Sequence, residues 1–132
     1  MRSPNISCKI EIFSSINPSE DPQKIETAIL NMFPNAKIKT DDFSVTSTSK
    51  DLHLLEKIHD VIHSNQSQKL YRRQLEKNLE NNSTWFYLNK QAAFIGIAAL
   101  CEEVEESPLG PIKVILTSSN IDGIIDWLIL EN

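Results

Sequence analysis

The sequence predicts an α+β fold, a two-layer sandwich whose mainly antiparallel sheet carries its helices on one face, in the order β-α-β-α-α-β-β-β-α. Three observations lead there. Short runs with period-two alternation are separated by longer segments with apolar residues at helical spacing. Those helical segments form the long connections between strands, which gathers them on one side of a sheet. The chain, 132 residues with 40% hydrophobic and 23% charged content, suffices for one core and not for two. A single domain over residues 1–132 is expected.

The elements follow in order. From Ser7 to Phe13, Cys8, Ile10 and Ile12 alternate with Lys9, Glu11 and Phe13, the pattern of a half-buried strand. Asp21 then offers an N-cap and Pro22 a first helical residue, whose missing N–H costs nothing there. The helix they open carries Ile25, Ala28, Ile29, Met32 and Phe33 on one side and stops at Pro34-Asn35. Lys37 to Thr48 reads as strand, with Ile38, Phe43 and Val45 interrupted by a turn at Asp41-Asp42. Ser49 is the expected cap of a second helix, Lys50 to Ser64, with Leu55, Ile58 and Ile62 as its stripe. After Ser64-Asn65-Gln66-Ser67, a third helix runs from Gln68 to Leu79 and ends at Asn81-Asn82. Thr84 to Leu88 is an aromatic strand, Asn89-Lys90-Gln91 a turn, and Ala92 to Leu100 a second apolar strand that completes a hairpin. The acidic stretch Glu102 to Glu106 reads as a solvated loop and Ser107 to Pro111 as irregular chain. Ile112 to Thr117 is the last strand. Asn120 or Asp122 caps a closing helix, Ile121 to Leu130.

A formal charge of −5 argues against a generic polyanion binder. It averages unlike regions, however: residues 1–49 carry −1, 50–79 carry +2 and 80–132 carry −6. The basic excess falls on the third helix, at Lys69, Arg72, Arg73 and Lys77. Cys8 and Cys101 are far apart with no C-x-x-C spacing, and two reduced thiols are expected. No run approaches the length of a membrane span, and Met1 to Ser7 lack the apolar stretch of a secretory signal, so an intracellular protein is expected.

Gly96, Gly110 and Gly123 are too dispersed for a phosphate-binding loop, no nucleophile elbow occurs, and no acid/base pair stands out. A non-enzymatic domain with no cofactor and no metal is expected. His59 and His63, with Glu56 and Asp60, have metal-like spacing, but one copy on one helix is more simply a solvated face. The open face of the sheet is more informative. Alternation puts Lys9, Glu11, Ser44, Thr46, Trp85, Tyr87 and Lys113 there, and aromatics interleaved with lysines stack bases and pair phosphates. The same two aromatics equally suit a dimer interface or, with the sheet inverted, the core.

The run Leu88-Asn89-Lys90-Gln91-Ala92-Ala93-Phe94-Ile95-Gly96, followed by Glu106-Ser107-Pro108-Leu109-Gly110-Pro111-Ile112, resembles an uncharacterised archaeal family described as RNA-binding. Asn17-Pro18-Ser19-Glu20-Asp21 and Ile125-Asp126-Trp127-Leu128 look like further signatures of it, so the resemblance is nearly chain-long. It implies a fold similar to the ribosomal protein that binds five-S rRNA, a homodimer and an archaeal cytoplasm. By position, Lys90 is the motif residue suited either to phosphate or to holding the turn, and Gln91 suits the structural role. The chain departs from the family around Gln66-Ser67-Gln68-Lys69, where an arginine and Ile-Leu-Asp are usual, and at Ile129-Leu130, where Ala-Pro is usual. RNA binding is the resulting expectation, by electrostatic capture on Lys69, Arg72, Arg73 and Lys90 with stacking on Trp85 or Tyr87. The competing expectation is a non-enzymatic interaction or structural module that homodimerises through the sheet.

Overall fold

A computed structural model describes residues 4–103, 106–107 and 109–130. The elements are β1 (Lys9–Ser15), α1 (Pro22–Met32), β2 (Lys39–Thr40), β3 (Ser44–Ser49), a 3-10 turn (Leu52–Leu55), α2 (Glu56–Ser64), α3 (Gln68–Lys77), β4 (Ser83–Leu88), α4 (Lys90–Phe94), β5 (Leu100–Cys101), β6 (Ile112–Thr117) and α5 (Ile121–Leu130). They build the expected α+β architecture. The six strands form one open sheet in the order β2-β3-β1-β6-β4-β5, with every neighbouring pair antiparallel.

Local signals act largely where the sequence places them. Asp21 accepts a hydrogen bond from the Gln23 backbone N–H and Pro22 starts α1. The Asp41 carboxylate accepts from the N–H groups of Phe43 and Ser44, both at 2.8 Å, and so turns β2 into β3. Asn120 accepts from Gly123 at 3.1 Å in the first turn of α5. The second helix begins differently from expectation. Ser49 accepts from the Asp51 N–H, and Asp51 rather than Ser49 caps the 3-10 turn that leads into α2.

The main correction concerns Ala92 to Leu100. Asn89 accepts a hydrogen bond from the Ala92 N–H at 2.8 Å and caps a helix, α4, where turn and strand were expected. That helix ends at Gly96 (φ +86°), with Gly96 and Ile97 donating back to Ala93 and Ala92, a left-handed stop suited to glycine. Only Leu100 and Cys101 reach the sheet, opposite Leu88 and Tyr87.

Ile10, Ile12, Val45, Phe86, Leu88, Val114 and Leu116 point from the sheet into a core closed by Ile25, Ile29, Ile58, Ile62, Leu75 and Trp127 from the helices. Cys8 joins this core as a free thiol, pushed up to about 11 by burial. Cys101 is also free and buried, and its thiol is raised by burial and the nearby Glu106. Glu105 and Pro108 lie outside the described residues.

The expected solvated histidine face is also corrected. His59 is 3% exposed, its ring stacked 5.3 Å from that of Trp127 on α5 and 4.4 Å from that of His63. His63 Nε2 lies 3.1 Å from the Leu128 carbonyl oxygen. These rings pack helix on helix. Among the described residues no group of three or more His, Cys, Asp or Glu is placed to hold a metal.

Candidate nucleic-acid interface

Antiparallel register brings residues from distant parts of the chain into rows across the sheet, because directly paired residues project from the same face. One row on the open face reads Lys39, Thr46, Phe13, Lys113 and Tyr87. The adjacent row reads Thr48, Glu11, Ile115 and Trp85. Beyond it lie Lys9, Thr117 and Ser83, the latter two joined by a 2.8 Å hydroxyl hydrogen bond.

Trp85 and Tyr87 are therefore on the open face, half-buried, while their neighbours Thr84, Phe86 and Leu88 face the core. This removes the inverted-sheet alternative. Asn78 anchors the strand by donating to the Trp85 carbonyl at 2.9 Å. The Lys113 ammonium lies 4.8 Å from the Trp85 ring centroid and 6.0 Å from that of Tyr87, a cation shared by two aromatic faces. Phe13, missed as a site residue although its place in the alternation was legible, is 45% exposed on the other side of Lys113. Lys39, also missed, enters through its pairing with Thr46. Glu11 is the one carboxylate among the described strand residues of this face, 3.8 Å from Lys9. Among these strand residues three lysines stand against one acid, with Asp41 near Lys39 and with Glu106 near Cys101, the residue opposite Tyr87.

The basic residues of α3 are arranged otherwise. Arg72 bridges Glu76 and Asp126 of α5, each at 3.1 Å, Arg73 pairs with Glu102, and Lys77 lies 3.4 Å from Glu103. The stretch expected to be a solvated acidic loop thus neutralises the stretch expected to capture phosphate. Lys69 is exposed on the same helix.

Of the two roles open to Lys90, phosphate contact or holding the turn, its surroundings favour the second. Its side chain is 5% exposed, and its ammonium donates to both Glu20 carboxylate oxygens, at 3.0 and 3.1 Å, and to the carbonyls of Ser15 and Leu109, each at 2.9 Å. A buried ammonium so surrounded is a structural tie, with no donor turned to a phosphate. Asn17 binds the same Glu20 and Leu109, and Ser107 donates to Gln91 and to the Gly110 carbonyl. Three of the four motif segments therefore converge on one corner. Burial opposes ionisation of Glu20, but the hydrogen bonds from Asn17 and Lys90 outweigh it and hold the carboxyl below its usual range. Beside the corner, Lys24, Ile25, Gln91, Phe94, Ile95 and Leu109 line a groove of about 620 Å³.

A family model described as RNA binding matches residues 9–117, from the first residue of β1 to the last of β6. The chain belongs to the UPF0201 family. A UPF0201 protein of Methanothermobacter thermautotrophicus is 38% identical over 120 residues, covering 91% of this chain and 89% of the relative. A UPF0201 protein of Sulfurisphaera tokodaii is 37% identical, with 91% and 86% covered. The crystal structure of a UPF0201 protein from Methanococcus jannaschii superposes with a TM-score of 0.78 at 30% identity, covering 94% of each chain. The likeness to the family thus extends over nearly the whole molecule. Among the described residues no helix is long and apolar enough to cross a membrane.

Proposed function

We propose that this protein binds RNA on the open face of its sheet, acting in the cytoplasm as a non-enzymatic binder. The row Lys39, Thr46, Phe13, Lys113 and Tyr87, flanked by Trp85, carries this reading. It sets cations and aromatic faces side by side on the sheet face opposite the apolar core. The RNA-binding description of the family supports it. Magnitudes do too. An exposed cation–π contact contributes about 0.5–1 kcal/mol, whereas stacking a base on an aromatic contributes about 1–3 kcal/mol. A base therefore displaces the Lys113 ammonium from the rings with a net gain, and the freed ammonium pairs with phosphate.

Fluorescence anisotropy with a labelled single-stranded RNA measures the claim. Three phosphate contacts give a slope of log affinity against log salt of about −2, from roughly 0.7 per contact on a single strand. The Lys39→Gln/Lys113→Gln variant is expected to bring that slope to about −0.7. Absence of binding at about 50 mM salt removes the RNA reading. A salt slope unchanged by the substitutions removes the sheet face from it.

A further inference from the structure

We infer that the face accepts an unstacked single strand and rejects an A-form duplex, a conclusion that rests on the RNA-binding reading above. Trp85 and Tyr87 are two residues apart on β4 and project from the same face, so their attachment points lie about 6.8 Å apart. Nucleotides along one strand of a DNA duplex advance about 3.4 Å along the axis, and those of an A-form duplex are stacked no farther apart. A stacked strand cannot lay neighbouring bases on both rings, whereas one whose bases are splayed apart can. The Lys113 ammonium, within reach of both rings, is then beside the phosphate that joins the two nucleotides. Phe13 lies across Lys113 from Tyr87, two strand spacings or about 9.6 Å away, and offers a third ring to a strand that crosses the sheet.

Charge points the same way. A duplex presents two phosphate ribbons, and proteins that hold one contact both across its minor groove. Here Lys39 and Lys113, for which no salt bridge is seen among the described residues, lie on one path across the sheet face. Arg72, Arg73 and Lys77, the cluster of cations on α3, are each paired with a carboxylate and form no second cationic wall.

The experiment compares a ten-nucleotide single-stranded RNA of mixed sequence with the same RNA annealed to its complement, at equal salt, against the full chain and the Trp85→Ala and Tyr87→Ala variants. Both residues lie on the open face, and circular dichroism checks that the variants fold. Single-strand affinity is expected to exceed duplex affinity at least tenfold, and each substitution to weaken single-strand binding about fivefold or more with little effect on the duplex. Emission lost in the Trp85→Ala variant isolates Trp85 from buried Trp127, and this component is expected to be quenched by the single strand. Equal binding of both forms with Trp85 emission unmoved overturns the inference and leaves RNA binding standing. No binding of either form overturns both. A sedimentation dimer that Trp85→Ala dissociates overturns the inference by assigning the face to a second copy.

Discussion

Replacing Lys90 with methionine is expected to destabilise the protein by about 3–5 kcal/mol, because it leaves the Glu20 carboxylate buried with no countercharge. The pair is enclosed, with side chains 5% and 9% exposed, and the ammonium also satisfies two backbone carbonyls. For a chain of this length the loss corresponds to a fall in Tm on the order of 10–20 °C. Methionine retains the length of the side chain, so the effect reports charge and hydrogen bonding. Adding Glu20→Gln to the variant removes the stranded charge and is expected to recover part of the stability. The pH dependence has a defined sign. The folded carboxyl of Glu20 titrates below its ordinary value of 4.5, so its contribution is complete above that pH and disappears as pH falls through the lower, folded value. Unfolding curves collected between about pH 2 and 7 check this, with Glu20→Gln flattening that window. A Lys90→Met variant no less stable than Lys24→Gln contradicts the structural role assigned to the corner.

Trp127→Ala is expected to cost about 3–5 kcal/mol, a large share of the roughly 5–15 kcal/mol that holds a domain together. Trp127 is 1% exposed, the largest fully buried side chain, and joins α5 to α2 through its contact with His59. Its removal leaves a cavity that two packed helices cannot readily close. Urea unfolding is expected to show a reduced midpoint, with Trp127→Phe retaining more stability than Trp127→Ala. Trp127 lies in the helix layer, on the side of the sheet opposite Trp85, so the folded variant is expected to keep its RNA affinity. A variant that retains its urea midpoint contradicts the packing described.

The main strands and helices were legible because alternation and capping are local. Cys8, Ile10 and Ile12 against Lys9, Glu11 and Phe13 define β1, and Asp21-Pro22 defines the start of α1. Ala92 to Leu100 misled because a short apolar run fits strand or helix equally, and the cap from Asn89 decided it. Alternation put Trp85 and Tyr87 on one face of their strand but left that face open or inward, which burial and register decide. Their relation to Phe13 and Lys39 was not legible, since it depends on β1 lying between β3 and β6, a non-local order. The basic residues of α3 misled for the same reason: Asp126 is 54 residues from Arg72, and Glu102 is 29 from Arg73. Lys90 finds Glu20 across 70 residues, and no spacing along the chain announces that pair. His59 read as surface because its own helix is polar on that side, and it is buried because α5 covers it.

The open face itself is tested most directly by ultraviolet crosslinking of a single-stranded RNA to the native chain, with the attached residues located by mass spectrometry. The expected crosslinks fall on Trp85, Tyr87 and Phe13 and are lost at high salt as the lysine contacts are screened. Crosslinks confined to α3 or to the groove beside Phe94, with the sheet aromatics unmodified, contradict the assignment of RNA binding to this face.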